Sequence, residues 1–376
     1  MSGQPFFIVG CERSGTTLLM AMLAMHPRIA VPEVTWYYPR FQPYLHTYGD
    51  LTDPARFRVL AEEMIHGLKT PYFGLAVADS NKVIEEILTL ADRQTFGGIF
   101  DAVLSWYARR VGKACWGEKT PHNLFYYRPI LEDFPGAKFI NMTRDGRDVA
   151  ASMMAASFGP TNIYVAARVW QRCIDAAAAM RTALPPGQFL DISYEALAAN
   201  PAETLRRVME FIGQEYDDKM LVFHQHEIAL RRARTKDHRG LGSPVSAARV
   251  AQYRQTLSLR ERQIFAGLAR EQLVAMNYEA LEEPLRLTPE QQRHYEELDE
   301  RIRAATLDAP DGHIVFESYN DWLADRREQR RIAGVWSGPK STPDWDKQFM
   351  AGQRAPRFWK ERFGVPRRYY SPTLTL

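Results

Sequence analysis

The residues most suited to chemistry lie in the segment FFIVGCERSGTTLL at 6–19. An apolar run ends at Gly10, a short turn follows, and a helical pattern begins at Thr16. This strand–loop–helix succession directs backbone N–H groups and the positive end of a helix dipole at an anion. The spacing from Gly10 to Gly15 fits the phosphate loop G-x-x-x-x-G-K-[ST], but Thr16 stands where a nucleoside triphosphatase has Lys. The loop's cation is Arg13, so the segment predicts phosphate binding without indicating ATP.

A second segment, KFINMTRDGRDVAASMM at 138–154, predicts another anion site. It starts as a strand and turns at 143–147, and a helical pattern begins at Asp148. Arg144 follows the strand and Ser152 lies about one turn into the helix, so a guanidinium and a hydroxyl are both available to a phosphate. Two anion sites indicate a nucleotide that is phosphorylated at two positions.

Together these segments resemble the sulfotransferases that use PAPS, 3′-phosphoadenosine 5′-phosphosulfate. The wording RSGTTLL, then HPRI, then RDGR is most similar to the tyrosylprotein sulfotransferases and their bacterial relatives, and the resemblance covers roughly residues 5–280. It implies that PAPS is the donor. It assigns the 5′-phosphosulfate to Arg13, Ser14, Gly15, Thr16 and Thr17, and the 3′-phosphate to Arg144 and Ser152.

Three further segments look like parts of the same family. WGEKTPHN at 116–123 resembles its lysine-bearing motif, which implies a catalytic or donor-contacting role for Lys119. The segment at 190–213 resembles a strand and helix of these enzymes and implies that Tyr194 lies near the adenosine. HRGLGSPVS at 238–246 resembles the loop that closes over the nucleotide, with Arg239 and Ser246 as its contacts.

The chemistry implied is an in-line displacement, in which the enzyme positions two oxygens and stabilises the charge on the leaving phosphate. Arg13 and Lys119 suit that charge, and we expect no metal. The acceptor hydroxyl must also lose a proton. The resemblance implies Glu33 as the catalytic base, although an ungapped comparison puts the family's Glu at Val34. Glu118 and His122 are the alternatives.

Alternating strand-like and helix-like segments predict an α/β fold with a P-loop-type, mostly parallel central sheet flanked by helices. We expect a sulfotransferase domain at 1–282, with a helical insertion at 40–110 on the acceptor side. Helices are expected at 16–25, 53–68, 80–90, 163–184 and 200–213, the last opened by a near capping box at Asn200. At the start of the insertion, the aromatic residues Trp36, Tyr37, Tyr38 and Phe41 predict either an acceptor-binding wall or a part of the core.

The C-terminal residues 283–376 form an extension to this domain. Its last part, 332–376, holds eight Lys or Arg against three Asp or Glu, a net charge of +5, together with eight aromatic residues. Basic residues among aromatics can bind nucleic acid or a sulfated glycan. So many aromatic side chains argue against simple disorder. We expect the extension to pack on the core or on a partner, with a homodimer as one possibility.

Composition limits the class of protein. The 376 residues are 45% hydrophobic and 25% charged with a net charge of +3, which is ordinary for a globular enzyme, and we expect no nucleic-acid partner. The sequence has no stretch of about 18 apolar residues, so we expect no membrane span. Three scattered cysteines, and an N-terminus without basic or long apolar regions, predict a cytoplasmic protein.

Two alternatives to a sulfotransferase compete on the sequence. A P-loop kinase using ATP is disfavoured by the absence of Lys at position 16 and of a strand ending in a metal-binding Asp. A non-catalytic nucleotide-binding interaction protein is disfavoured by the presence of Arg13, Lys119 and Arg144. The acceptor is open between a peptide tyrosine, a sugar hydroxyl, a lipid and a small phenol.

Overall fold

The computed structural model describes residues 4–66, 80–156, 159–306 and 313–339. These residues include five strands, which form a mostly parallel sheet, and fifteen α-helices. The predicted α/β class is therefore confirmed. The described residues divide into two compact units. We call 8–26, 138–156 and 159–306 the phosphate-loop unit, and 4–7, 27–66, 80–137 and 313–339 the Glu118 unit.

Strand β1, Phe6–Gly10, has five buried residues and leads directly into the predicted phosphate loop. Continuous burial is typical of a strand in a parallel sheet, because both faces of such a sheet are covered. The boundary between the units falls within β1, after Phe7. The last three residues of β1 therefore belong with the loop.

The phosphate-loop unit contains two parallel strands, β4 at Lys138–Thr143 and β5 at Phe189–Ser193. Their register pairs Phe139 with Phe189 and Thr143 with Ser193, so both strands end at the same edge. The helices of this unit are α1 Thr16–Ala24, α7 Gly146–Met154, α8 Ile163–Ala183, α9 Tyr194–Ala199, α10 Pro201–Ile212, α11 Glu227–Ala233, α12 Tyr253–Thr256, α13 Leu259–Ala275 and α14 Pro289–Thr306.

The helix starts show where local sequence was sufficient and where it was not. Helix α7 begins at Gly146 and not at the predicted Asp148, because the side chain of Asp145 accepts from the N–H of Arg147 and caps it. The predicted capping box at Asn200 is wrong, since Asn200 makes no side-chain cap, although Pro201 occupies the first turn of α10. Gly213 ends α10 in the left-handed conformation, as expected.

The Glu118 unit has a parallel pair, β2 at Ile29–Ala30 and β3 at Cys115–Lys119. Its helices are α2 Tyr37–Phe41, α3 Pro54–His66, α4 Ser80–Leu90, α5 Phe96–Arg110, α6 Tyr127–Asp133 and α15 His313–Ile332. Aromatic rings form its core, with Tyr38, Phe41 and Phe96 among those that contact Phe100 or one another. Of the predicted aromatic wall, Tyr37, Tyr38 and Phe41 are thus core residues.

The C-terminal extension packs on the chain through two helices. In the phosphate-loop unit α14 contacts α8, where Asp299 accepts from the N–H and hydroxyl of Thr161. In the Glu118 unit α15 packs on the turn at 42–48, and Trp336 lies edge-on to His46. Most of the basic aromatic segment, 340–376, lies outside the described residues. The 1–282 boundary and the role of the 40–110 helices stay predictions. Among the helices described, none is long and apolar enough to cross a membrane.

Candidate functional site

The loop at 10–15 has a backbone that only certain residues permit. Gly10 has φ of +136°, and a Cβ there would lie 2.4 Å from the carbonyl oxygen of Met142. Gly15 has φ of +97° and immediately precedes α1, while Arg13 is left-handed at φ of +68°. A left-handed arginine is uncommon. The positive end of α1 therefore opens onto a tight loop, as predicted for an anion site.

A cavity of about 310 Å³ lies over this loop within the phosphate-loop unit. Most of the predicted nucleotide contacts line it: Arg13, Gly15, Thr16, Thr17, Arg144, Ser152, Tyr194, Arg239 and Ser246. Ser14 is buried beside them in the loop, and its hydroxyl has no hydrogen-bond partner among the described residues. The structure thus brings together side chains that the sequence separates by more than two hundred positions.

Arg13 joins the two anion sites that the sequence predicts separately. Its Nε donates to the Ser152 hydroxyl at 3.1 Å, and its Nη2 donates to the Asp237 carbonyl at 2.7 Å. Burial is the main cause that lowers the pKa of Arg13, and the nearby Arg144 and Arg249 add to it. A bound anion would offset that repulsion and burial.

Arg144 lies where β4 ends, and the parallel register puts Tyr194 beside it. The Arg144 guanidinium lies 4.4 Å from the centre of the Tyr194 ring. Its Nη1 donates to the Arg13 carbonyl and its Nη2 to the Arg249 carbonyl, at 3.2 and 2.6 Å. The Nε of Arg144 is buried without a hydrogen-bond partner among the described residues. Buried polar groups are normally satisfied, so an unused donor here indicates a missing acceptor.

Arg249 and Asp148 are functional candidates that sequence reasoning missed. Arg249 lines the cavity, and its guanidinium packs on Gly240. Asp148 accepts from the N–H groups of Ala251 and Tyr253, both at 2.8 Å, and so anchors the segment that carries Arg249. Burial raises the pKa of Asp148. No local motif marks Arg249, because its contact with the loop depends on this long-range anchor.

The Glu118 unit holds the other predicted catalytic residues. Glu33, Lys119, Glu118 and His122 are all buried there. Burial raises the pKa of Glu118, although hydrogen bonds from threonine hydroxyls and the charge of Lys119 oppose the effect. The indole of Trp36 lies 4.5 Å from the His122 ring, centre to centre. These contacts connect the segment after β2 with the segment at the end of β3.

A metal site needs several ligating side chains close together. Across the described ranges, no group of three or more His, Cys, Asp or Glu could hold a metal ion. The guanidinium, hydroxyl and N–H donors that line the cavity are suited to anions, and Asp237 and His238 also line it.

Comparisons with known proteins identify the family of this chain. The sequence model of the sulfotransferase family matches residues 5–218. A protein-tyrosine sulfotransferase of Drosophila melanogaster is 24% identical over 220 residues, a match that covers 57% of this chain and 39% of the fly protein. Stf3 of Mycobacterium bovis, an omega-hydroxy-beta-dihydromenaquinone-9 sulfotransferase, is 28% identical over 244 residues, with 56% and 62% covered. The chain therefore spans less than two thirds of either relative's length.

A solved structure gives a weaker likeness. The sulfotransferase domain of the Synechococcus PCC 7002 olefin synthase has a TM-score of 0.48 and 19% identity, and the match covers 70% of this chain and 94% of that domain.

Proposed function

Because the chain belongs to the sulfotransferase family, we propose that it transfers the sulfonyl group of PAPS to a hydroxyl-bearing acceptor. The observation that carries the choice of donor is a cavity with unused buried donors. Arg144 Nε at the cavity and Ser14 Oγ in the adjoining loop lack partners among the described residues, and both residues are predicted phosphate contacts. A nucleotide with phosphates at two positions would supply acceptors for both.

The residues of the cavity fit this nucleotide in type and charge. Arg13, the loop N–H groups and the start of α1 would hold the 5′ side, where negative charge grows during transfer. Arg144 and Ser152 would hold the 3′-phosphate, and Tyr194 would lie against the adenosine. When bound, PAPS supplies an activated sulfonyl group. Arg13 would act on both sides, since its Nε already contacts Ser152.

The residues of the Glu118 unit complete the proposal on the strength of the family resemblance. Lys119 would stabilise charge on the transferring group, and Glu33 would accept the proton of the acceptor hydroxyl. Glu118 and His122 are the alternative bases. The acceptor's class stays open between a peptide tyrosine, a sugar, a lipid and a phenol, and no acceptor is carried over from the relatives.

The competing readings are less well supported. A kinase would need a lysine in the loop to bridge the β- and γ-phosphates, and position 16 is Thr. The family match also argues against a function outside sulfonyl transfer. A cytoplasmic location is part of the proposal and is supported by three free cysteines, Cys11, Cys115 and Cys173. A homodimer stays a prediction.

Calorimetry tests the donor. The chain should bind adenosine 3′,5′-bisphosphate tightly in the presence of EDTA, and Mg-ATP should bind much more weakly. Preference for Mg-ATP would contradict the proposal. Labelled PAPS offered with a tyrosine peptide, a sugar, a long-chain alcohol or a phenol then tests transfer and identifies the acceptor class.

A further inference from the structure

We infer that Glu118 is a positioning residue: through the hydroxyls of Thr35 and Thr120 it holds the start of α2 and the Trp36 backbone in place. It would therefore not be the proton acceptor, although sequence reasoning left it as one candidate. The inference rests on the proposed function only for its activity readout.

The carboxylate of Glu118 is enclosed by donors. Its Oε1 accepts from the Thr120 hydroxyl at 2.6 Å, the Thr35 hydroxyl at 2.8 Å and the Thr35 N–H at 3.4 Å. Its Oε2 accepts from the Asn123 amide at 2.7 Å. An ionised carboxylate offers about four acceptor sites, two on each oxygen. Here three donors share Oε1, and the Asn123 amide uses one site of Oε2. Glu118 is also fully buried.

The two threonine hydroxyls link Glu118 to backbone N–H groups at the start of α2. Each hydroxyl has one hydrogen, and in both it points to Glu118, so the oxygen is left to accept. Thr120 Oγ1 accepts from the N–H of Trp36 at 3.1 Å, and Thr35 Oγ1 accepts from the N–H of Tyr37 at 3.4 Å. Trp36 provides no side-chain cap to α2. The relay from Glu118 therefore does the work of a cap.

The relay acts on a strained residue. Trp36 has φ of +57° and ψ of 19°, a left-handed conformation that is rare for a bulky side chain. Such a conformation persists only where the surroundings impose it, and it is concentrated at functional sites. The Trp36 ring lies against His122, three residues after Lys119. Glu118 thus ties the segment carrying Glu33 and Trp36 to the segment carrying Lys119 and His122.

Matched substitutions at 118 separate positioning from proton transfer. Glu118→Gln keeps the size and one acceptor oxygen, and the Asn123 amide can rotate to offer its Oδ1, which has no partner among the described residues. A positioning role predicts that Gln retains kcat within about threefold, whereas Ala lowers kcat at least tenfold. The dissociation constant of adenosine 3′,5′-bisphosphate should change by less than twofold in both. Loss of turnover in the Gln variant with unchanged spectra would overturn the inference.

The Trp36 indole gives a readout that needs no acceptor. In ¹⁵N-labelled full-length protein, Trp36→Phe identifies its indole N–H signal. This signal should stay in place in Glu118→Gln and shift or broaden in Glu118→Ala. Glu63→Gln is the control, because Glu63 is an equally buried carboxylate of the same unit that pairs with Arg326 and Arg330 and is absent from the relay.

A second pair of variants covers the case in which Glu118→Ala does not fold. Thr120→Ser keeps the relaying hydroxyl and Thr120→Val removes it, so only Val should move the Trp36 signal. An unmoved signal in Thr120→Val would overturn the inference. If the wild-type chain fails to bind adenosine 3′,5′-bisphosphate, the proposed function fails, while the indole signal still decides the role of Glu118.

Discussion

The cavity over the phosphate loop and the hydrogen-bonded groups around Glu118 are both polar, but they differ in how their hydrogen-bonding capacity is used. Arg144 Nε at the cavity and Ser14 Oγ in the adjoining loop are donors without partners among the described residues. Around Glu118, both carboxylate oxygens accept hydrogen bonds, from four donors in all. An unused donor that lines a cavity is available to a ligand, whereas a carboxylate held by four donors is suited to a structural role. The pKa shifts alone would not distinguish the two regions, since burial shifts the pKa of Arg13 in one and of Glu118 in the other.

The largest expected effect is at Lys119, which belongs to the Glu118 unit yet carries a predicted catalytic role. If Lys119 stabilises the transferring group, Lys119→Ala should lower kcat by roughly 10²–10³-fold, the effect of removing one preorganised donor. The nucleotide's dissociation constant should hardly change, because the interaction grows in the transition state. Steady-state kinetics and calorimetry measure both. A folded variant with near-normal kcat would make Lys119 structural, like its neighbour Glu118.

The next effect tests the cavity. Arg144→Ala should weaken adenosine 3′,5′-bisphosphate binding by about 1.5–3 kcal/mol, the range for a hydrogen bond to a charged group. ATP lacks the 3′-phosphate, so its weak binding should hardly change. Arg181→Ala is the control, because Arg181 forms an exposed ion pair with Asp191 in the same unit. Equal losses for both nucleotides in calorimetry would count against the 3′-phosphate assignment.

A smaller effect is expected at Ser14, where ligand binding and the stability of the ligand-free chain should respond differently. Ser14→Ala removes a buried hydroxyl that has no partner among the described residues. Bisphosphate binding should weaken by about 0.5–1.5 kcal/mol, because one hydrogen bond to the ligand is lost. The unfolding free energy of the ligand-free chain should not fall, since no internal bond is broken. Denaturant titration with and without the nucleotide measures both, and a loss of stability without ligand would show that the hydroxyl is already satisfied.

The smallest expected effect is a dependence of stability on pH that arises from Glu118. Burial raises the pKa of Glu118 in the folded chain. The folded state then binds this proton more tightly than the unfolded state. The contribution to stability is therefore full below the unfolded pKa and is lost as pH rises through the folded pKa. The melting temperature of the wild type relative to Glu118→Gln should therefore fall as pH rises above about 4.3, the ordinary pKa of a glutamate. A difference that rises with pH would contradict this direction.

Local sequence patterns predicted much of the geometry of the candidate phosphate site. The phosphate loop depends on a strand, a five-residue spacing and a helix start, all within residues 6–19, and the structure has each of them. Arg144 and Tyr194 each directly follow a strand. Because parallel neighbours end at one edge, two residues fifty positions apart become neighbours through the register alone. Helix α7 begins two residues before its predicted start, because the Asp145 side chain caps it and the helical pattern of the sequence does not reveal this cap.

Spacings of a few residues were enough to predict the α/β class and the family, and they also predict a phosphate-binding loop. The tertiary structure alone established which buried groups are hydrogen-bonded. It placed Arg249 at the cavity, because the N–H groups of Ala251 and Tyr253 donate to the Asp148 carboxylate, and it joined Arg13 to Ser152 across 139 positions. It also surrounded Glu118 with donors from two separate segments. Whether a buried carboxylate or guanidinium has capacity left for a ligand depends on residues far along the chain, and no local pattern records them.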